Sequence, residues 1–196
     1  MTLHYYQNHA QDFFDGTVNV DMTPLYEAFT QHLTHGARVL DAGCGSGRDA
    51  KAFHEMGYQV DAFDASCAMV ELARQHTGLP VQLMTFSEVD VKAQYDGIWC
   101  CASLLHVPSS ELPAVMQKLA DALKPGGVWY VSFKYGTGER VQGERRFTDL
   151  DEEGLRMGIS NMTDVAITSL WVTKDYRPER SERWLNGILH KKNTIF

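Results

Sequence analysis

The sequence predicts an α/β fold built on a doubly wound, mostly parallel β-sheet. From residue 37 onward, short apolar runs alternate with segments of helical periodicity, a pattern typical of strands joined by right-handed crossovers. The first apolar run ends in a glycine-rich loop, at the kind of strand end where such sheets bind ligands. Two final strand-like runs flank a short charged loop and should pair antiparallel. These observations predict one domain over the 196 residues.

The elements can be placed in order along the chain. Residues 1–35 are predicted to form two helices, one at 3–14 and one capped by Thr23, which we expect to cover the core at 36–196 as a lid. Strands are predicted at 38–41, 58–63, 81–84, 97–101 and 128–133, followed by a terminal hairpin of strands at 164–174 and 183–191. Helices are predicted at 47–56, 66–76, 110–123 and 148–157, the last of them capped by Thr148.

Composition narrows the class of protein. A net charge of −7 disfavours broad binding to nucleic acid, because the phosphates would be repelled. The first residues carry no charged leader, and no apolar run approaches the roughly 18 residues of a membrane span. The four cysteines form no Cys-x-x-Cys pair and so suggest neither a metal site nor a disulfide. We expect a cytoplasmic protein without a metal, a nucleic acid partner or a membrane partner.

The loop after the first strand has the sequence DAGCGSG at residues 41–47. Glycines let the backbone turn tightly and approach a ligand, and the following helix points its N-terminal amides at that ligand. An acidic residue about twenty positions later can bond both ribose hydroxyls. Asp64 stands 19 residues after Gly45, at the end of the second strand. The loop, the helix and the acid together predict a site for a nucleoside ligand.

A second register of the loop leaves an alternative open. Residues 45–50 also satisfy the G-x-G-x-x-G/A pattern, so an oxidoreductase or sensor that binds a nicotinamide dinucleotide is an alternative hypothesis. Asp41, directly before the loop, argues against it, because a carboxylate repels a pyrophosphate and attracts a ligand that carries an ammonium and a sulfonium. A cofactor-binding module without catalysis is a further alternative.

Four segments carry a resemblance to a known family. They are the first strand with its loop at 39–47, the second strand end at 62–66, the fourth strand at 95–99 and the turn at 123–127. In this order they resemble the class I S-adenosylmethionine-dependent methyltransferases, and the chain is similar to the small bacterial tellurite-resistance and ubiquinone-type members. The resemblance implies a Rossmann-like sheet of seven strands with only the last antiparallel. It also implies S-adenosylmethionine as cofactor and in-line methyl transfer to a small-molecule acceptor.

The resemblance implies a cofactor site at positions that match the family's motifs. The methionine part of the cofactor would be held by Asp41, Gly43, Gly45, Gly47, Arg48 and the carbonyl of Ala102. The ribose would be held by Asp64. The adenine would be bordered by Ala65, Met69, Thr85 and Phe86. Tyr6, on the predicted lid, is a further candidate contact.

The acceptor side is expected where loops follow the carboxyl ends of the strands. The methyl group is already activated, so the protein mainly aligns the nucleophile, and a base is needed only if the acceptor must lose a proton. The candidate catalytic residues are His106 after the fourth strand and Lys134 and Tyr135 after the fifth. Arg145 and Arg146 either belong to a solvated loop or attract an anionic acceptor.

A methyltransferase for nucleic acid or protein is a competing hypothesis. The sequence contains no NPPY or DPPY segment of the adenine methylase type and no Pro-Cys nucleophile of the cytosine type. The acidic balance also favours a small-molecule acceptor. The sequence is compatible with a monomer or a homodimer, and it does not identify the methyl acceptor.

Overall fold

The computed structural model describes residues 1–194. The helices are α1 Thr2–Asn8, α2 Ala10–Thr17, α3 Thr23–Thr30, α4 Arg48–Glu55, α5 Cys67–Thr77, α6 Leu112–Ala122 and α7 Glu152–Gly158. The strands are β1 Arg38–Ala42, β2 Gln59–Asp64, β3 Gln82–Leu83, β4 Tyr95–Cys100, β5 Leu123–Lys134, β6 Gly138–Gln142, β7 Arg145–Asp149, β8 Val165–Lys174 and β9 Arg183–Lys191. The connections between β1 and β5 contain α4, α5 and α6, except that β3 and β4 are joined through a 3₁₀ turn.

Seven of these strands form one sheet in the order β3-β2-β1-β4-β5-β9-β8. The pairings among β1 to β5 are all parallel. β9 runs antiparallel to both β5 and β8, which lie on either side of it. This topology confirms the predicted mostly parallel, seven-stranded sheet with its last strand reversed. The carboxyl ends of β1, β2, β4 and β5 therefore meet along one edge, where such sheets bind ligands.

Alternate residues of β4 anchor the cores on the two faces of the sheet. Ile98 and Cys100 are fully buried in the apolar cluster that includes α6 and α7. Trp99, between them, is fully buried in the cluster that includes α3 and α4. Its indole stacks on the Tyr130 ring of β5 at a centroid distance of 4.1 Å. Burial of each large apolar side chain stabilises the fold by about 1.5–3 kcal/mol, so both helical layers are fixed to the sheet.

Helix α3 is part of the core rather than of a lid. Phe29, on α3, has no exposed surface. A Cβ added at Gly97 of β4 would lie 2.8 Å from the Phe29 ring and 3.0 Å from Leu33. Gly97 therefore allows this helical segment to approach the sheet more closely than any other residue would.

The N-terminal segment differs from its prediction in two respects. It forms three helices instead of two, because His9 leaves helical geometry between α1 and α2, with φ −118° and ψ 22°. The break brings the rings of Tyr6 and Phe13 edge to face at 5.1 Å. Thr23 is the first residue of α3 and not its cap, since its amide and hydroxyl both donate to the Asp21 carboxylate, at 2.9 and 2.6 Å.

Helix α1 bridges two distant elements above the carboxyl edge of the sheet. The side-chain oxygen of Gln7 accepts a hydrogen bond from the Ala68 amide, at the start of α5, at 3.0 Å. The hydroxyl of Thr2 accepts one from the Arg146 amide on β7, at 2.9 Å. These contacts hold α1 above the carboxyl edge of the sheet, whereas α3 packs in the core.

The hairpin of β6 and β7 forms a second, two-stranded sheet that the sequence analysis does not predict. The predicted helix start at Thr148 is wrong, because Thr148 lies in β7 and donates to the Val107 carbonyl at 2.7 Å. Helix α7 begins later and is capped by Asp151. The charged residues of the hairpin lack the apolar alternation that predicts strands. As a consequence Arg145 and Arg146 lie in a strand and not in a loop.

The four cysteines are free in the structure. Burial raises the pKa of Cys44 and Cys100 above that of an ordinary thiol, so both stay protonated and unreactive. Within residues 1–194 no three His, Cys, Asp or Glu side chains are grouped in a way that could hold a metal ion. Over the same range no helix combines the length and the apolar character needed to cross a bilayer.

Candidate active site

The loop between β1 and α4 turns tightly through glycines in left-handed geometry. Gly43, Gly45 and Gly47 have φ values of 75°, 53° and 79°. The Gly43 amide donates to the Phe63 carbonyl on β2 at 3.0 Å. A Cβ added at Gly43 would lie 2.6 Å from the Cβ of Ser103. The loop is therefore pressed against the ends of β2 and β4, with no room for a side chain at this turn.

Asp64, at the end of β2, is tied to this loop through its carboxylate. One oxygen accepts from the Gly45 amide and the other from the Ser66 amide, both at 2.9 Å. Burial raises the pKa of Asp64, and these amide hydrogen bonds oppose the rise. Each carboxylate oxygen has a second lone pair, so the oriented group can still accept hydrogen bonds from ligand hydroxyls.

Asp41 lies beneath the loop at the end of β1 and is 2% exposed. Its Oδ2 is buried and has no hydrogen-bond partner among the described residues. Burial and the nearby charge of Asp49 raise the pKa of Asp41 well above its ordinary value, while Arg48 opposes the rise. A buried acid with an unsatisfied oxygen beside the loop is the kind of group that a cationic ligand would stabilise.

Arg48 and Asp49 open helix α4 as a buried ion pair. Arg48 Nε donates to Asp49 Oδ1 at 2.7 Å, and Nη2 donates to Oδ2 at 3.2 Å. The same carboxylate accepts from the Tyr26 hydroxyl at 2.5 Å and from the Trp99 indole at 2.9 Å. Burial alone would raise the pKa of Asp49, but Arg48 and these donors hold it below its usual range. The network fastens the helix that follows the glycine loop to both α3 and β4.

Two adjoining cavities open at this edge of the sheet. The β2-side cavity encloses about 390 Å³, within the range of small-molecule sites, and its lining includes Asp64, Ala65, Met69, Thr85 and Phe86. The β5-side cavity has in its lining Arg48, Asp49, Lys134, Arg145, Phe147, Glu182 and Trp184. Six residues line both cavities and mark their junction: Tyr6, Phe13, Gly43, Gly45, Ala102 and His106.

Ala102 lies at this junction in a strained backbone conformation. Its φ of 49° is rare for a residue with a side chain. The Ala102 amide donates to the Ser132 hydroxyl on β5 at 2.8 Å, which holds the turn in place. Backbone strain of this kind is retained where the surroundings enforce it, often at functional sites.

His106 is fixed in one tautomer by its two hydrogen bonds. Its Nδ1 lies 2.9 Å from the Arg146 carbonyl, which can only accept, so Nδ1 carries the proton. Nε2 therefore accepts from the Tyr6 hydroxyl at 2.8 Å. Burial, with the positive charges of Arg145 and Lys134, lowers the pKa of His106 to about 4, against the Arg146 carbonyl. At neutral pH the imidazole is uncharged and keeps a lone pair at the junction.

Lys134 ends β5 inside the β5-side cavity and is 8% exposed. Its ammonium donates to Glu182 at 3.1 Å and lies 4.3 Å from the centroid of the Phe147 ring. Burial lowers the pKa of Lys134, and Glu182 opposes that change. Arg145, on β7, places its guanidinium 5.2 Å from the centroid of the same Phe147 ring. The hairpin thus contributes a basic and aromatic wall to the cavity.

Most of the predicted site residues come together at the two cavities. Those that line a cavity are Tyr6, Gly43, Gly45, Arg48, Asp64, Ala65, Met69, Thr85, Phe86, Ala102, His106 and Lys134. Asp41 lies under the loop and lines neither cavity. Gly47 also lies outside them, where a Cβ would meet Thr77 of α5 at 2.6 Å, so it permits the close packing of α4 on α5. Tyr135 lies outside both and donates to Glu152 at 2.9 Å.

Sequence reasoning missed several residues that line the cavities or support the site. They are Gln7, Phe13, Tyr26, Asp49, Ser103, Phe147, Asp175, Glu182 and Trp184. A signal for the β6–β7 hairpin was available in Gly143, which lies in the two-residue turn between the strands and has a φ of 60°. The others are brought in from distant parts of the chain and leave no local pattern.

A family model described as a methyltransferase domain matches residues 39–127. The matched segment contains the glycine loop, Asp64 and the strained turn at Ala102. This match and the topology of the sheet support the predicted resemblance to the class I methyltransferases.

Curated relatives match about half of the chain. The ubiquinone biosynthesis O-methyltransferases of Xanthomonas axonopodis pv. citri strain 306 and Xanthomonas oryzae pv. oryzae strain PXO99A are each 36% identical over 104 residues. These residues are 50% of this chain and 43% of each relative. The chain therefore spans less than half the length of these relatives.

Solved structures share the whole fold. The 1,6-didemethyltoxoflavin-N1-methyltransferase of Burkholderia thailandensis, solved with 1,6-didemethyltoxoflavin and S-adenosylhomocysteine, matches with a TM-score of 0.77 and 24% identity over 97% of this chain and 85% of that one. The magnesium protoporphyrin IX methyltransferase of Synechocystis PCC 6803, solved with S-adenosylhomocysteine, has a TM-score of 0.74 and 18% identity over 96% of this chain and 97% of that one. The methyltransferase fold thus extends beyond the matched domain to β8 and β9.

Proposed function

We propose that this chain is an enzyme that transfers a methyl group from S-adenosylmethionine to a small-molecule acceptor. The observation that carries the proposal is the arrangement of the two cavities. The glycine loop and Asp64 meet beside a largely apolar slot, and the second cavity joins that slot at His106. One cavity suits a nucleoside donor and the other an acceptor, with a single junction between them.

The residues at the β2-side cavity fit the cofactor. Asp64 would accept hydrogen bonds from the ribose hydroxyls, since its carboxylate is already oriented by two amides. Met69 and Phe86 would enclose the adenine. The unsatisfied oxygen of Asp41 beneath the loop suits an ammonium, acting directly or through water. The Burkholderia thailandensis and Synechocystis PCC 6803 enzymes share this fold and were solved with S-adenosylhomocysteine bound. These structures support the assignment.

Arg48 is a weaker candidate for the cofactor's carboxylate than the sequence suggests. Its guanidinium already makes two hydrogen bonds to Asp49 and a third to the Thr17 carbonyl, at 3.2 Å. We propose that Arg48 contributes positive charge at the loop and that the first amides of α4 supply hydrogen bonds.

When bound, S-adenosylmethionine supplies a methyl group that is already activated by the sulfonium. The protein's part is alignment at the cavity junction, which can contribute about 7–11 kcal/mol as effective molarity. We propose that His106 accepts a proton from an acceptor hydroxyl or amine, because its Nε2 lone pair faces the junction and its tautomer is fixed. The Tyr6 hydroxyl donates to that lone pair, so the acceptor would have to displace it.

The nicotinamide alternative is disfavoured by the sheet. Dinucleotide-binding sheets of the order 3-2-1-4-5-6 are parallel throughout, whereas β9 is antiparallel to β5 and β8 in this chain. The buried Asp41 under the loop also opposes a pyrophosphate there. We further propose a cytoplasmic protein in which α1 and α2, from the N-terminal segment 1–35, close over the core at 36–196, with no nucleic acid partner and with a monomer or homodimer as its assembly.

Parallel calorimetric titrations with S-adenosylhomocysteine, NAD and NADP test this proposal. We expect micromolar binding of S-adenosylhomocysteine alone. Asp64→Ala should weaken that binding by about 1.5–3 kcal/mol, the contribution of hydrogen bonds to a charged group, and Asp64→Asn should weaken it less. Binding of a nicotinamide cofactor with silence from S-adenosylhomocysteine would refute the donor assignment. Incubation with S-adenosylmethionine and a panel of phenols, amines, thiols and metalloid oxyanions then separates an enzyme from a non-catalytic module.

A further inference from the structure

The β5-side cavity is basic although the chain is acidic. The protein has a net charge of −7, but six basic and three acidic side chains line this cavity. Such a local reversal of charge favours an anionic ligand, because opposite charge in a partly buried cleft is screened less by water.

The three acids are neutralised by neighbouring bases. Asp49 is paired with Arg48 at 2.7 Å, and Glu182 is paired with Lys134 at 3.1 Å. Asp175 takes two hydrogen bonds from the Arg177 guanidinium, at 2.8 and 2.6 Å. These pairs leave an excess of positive charge on the remaining bases of the lining, which are Arg145, Lys174 and Arg180.

Arg145 is the one of these three that is half-buried, while Lys174 and Arg180 are exposed. No carboxylate within residues 1–194 lies within 4.0 Å of its guanidinium. The group is held by two aromatic rings instead, 4.5 Å from the centroid of Tyr5 and 5.2 Å from that of Phe147. A guanidinium fixed in this way presents its donors to the cavity in a planar fork that matches a carboxylate.

The other walls of the cavity are aromatic. Phe13, Tyr130, Phe147, Tyr176 and Trp184 all line it. Lys134 lies over the Phe147 ring and 6.0 Å from the Trp184 centroid, which keeps positive charge close to flat apolar surfaces. Flat walls favour a flat ring, and aromatic contacts contribute beyond the burial of area.

We propose that the methyl acceptor is a small aromatic carboxylate, with its carboxylate on Arg145 and its ring against Phe147. This inference rests on the proposed methyltransferase function. In the transfer, the nucleophilic atom of the acceptor bonds to the methyl carbon and the carbon–sulfur bond breaks with its electron pair left on sulfur. Where the nucleophile is a hydroxyl or amine, its proton passes to His106.

The test uses matched probes on protein saturated with S-adenosylhomocysteine. The probes are 4-hydroxybenzoate and 3,4-dihydroxybenzoate, each compared with its neutral amide. We expect each carboxylate to bind about tenfold or more tightly than its amide, as hydrogen bonds to a charged group imply. Arg145→Gln should remove this preference and Arg145→Lys should keep part of it. Arg156→Gln, which removes the same charge from an exposed position on α7, should leave it unchanged.

The outcomes separate the two proposals. Equal binding of carboxylates and amides, with normal binding of S-adenosylhomocysteine, overturns the acceptor assignment and leaves the donor assignment standing. A tenfold loss of S-adenosylhomocysteine affinity in Arg145→Gln, with circular dichroism unchanged, means that Arg145 holds the donor's carboxylate. This result also overturns the acceptor assignment. Failure of the unaltered protein to bind S-adenosylhomocysteine defeats the methyltransferase proposal itself.

Discussion

The two cavities are built in different ways. Apart from α1 and α2, the β2-side cavity is lined by residues between 43 and 115, most of them in turns that directly follow a strand. The β5-side cavity collects residues from the N-terminal helices, the glycine loop, the end of β4, β5, the β6–β7 hairpin and the loop between β8 and β9. The donor side therefore depends on local spacing along the chain, and the acceptor side depends on tertiary assembly.

The electrostatics of the two sides differ in the same sense. On the β2 side one carboxylate, Asp64, is held by backbone amides of its own loop and helix start. On the β5 side the ammonium of Lys134 is held by Glu182, which is 48 positions away in sequence, although the pairs Arg48–Asp49 and Asp175–Arg177 are local. If the β2 side binds the donor through backbone contacts and the β5 side binds the acceptor through side chains, substitutions on the β5 side could change the acceptor without changing the fold.

The largest expected effect concerns the buried ion pair of Arg48 and Asp49, which lines the β5-side cavity. Asp49→Ala would leave the buried guanidinium of Arg48, the Tyr26 hydroxyl and the Trp99 indole without their acceptor. Breaking a buried pair by removing one partner costs about 3–5 kcal/mol. We expect a loss of that size in the free energy of unfolding, measured by urea denaturation.

A double variant, Arg48→Met with Asp49→Leu, is the matched control for this prediction. It removes both charges, so it should recover much of the stability that Asp49→Ala loses. A loss below about 1 kcal/mol in Asp49→Ala, the range of an exposed pair, would mean that the network does not anchor the loop to the core.

Local spacing explains which parts of the site the sequence could predict. Gly45 and Asp64 belong to consecutive elements, and their separation of 19 positions is set by one helix and one strand. Tyr6 and His106 are 100 positions apart, and only the folded chain brings them to 2.8 Å. The seven-stranded sheet was predictable from apolar runs, but the β6–β7 hairpin was not, because its exposed strands are charged.

The next effect is a pH dependence on the acceptor side. Burial and the charges of Arg145 and Lys134 lower the pKa of His106 to about 4 in the folded protein. The unfolded chain has an ordinary pKa near 6.5, so it binds more protons between these two values. The contribution of His106 to the free energy of unfolding is therefore fully present above about pH 6.5. It falls by at most about 3 kcal/mol as the pH drops to 4.

Comparison with His106→Gln isolates this contribution, because Asp41, Asp64 and other carboxylates titrate in the same range. The free energy of unfolding is measured by urea denaturation at steps between pH 4 and pH 7. The variant should show a shallower decline than the unaltered protein. Identical slopes would show that His106 is not held neutral at the junction and would remove the support for its role as a base.

The smallest expected effect is that of Tyr135, which lies near the sheet edge but outside the proposed acceptor cavity. Tyr135 directly follows Lys134, yet it lines neither cavity and donates to Glu152 instead. Tyr135→Phe removes this one hydrogen bond, which should have little effect on stability because water can replace it at a solvated position. We expect S-adenosylhomocysteine affinity and methyl transfer to remain unchanged, because Tyr135 lies beyond the end of β5 and lines neither cavity. A selective loss of transfer, with affinity and folding intact, would instead place Tyr135 in the catalytic machinery and move the acceptor wall beyond the two cavities.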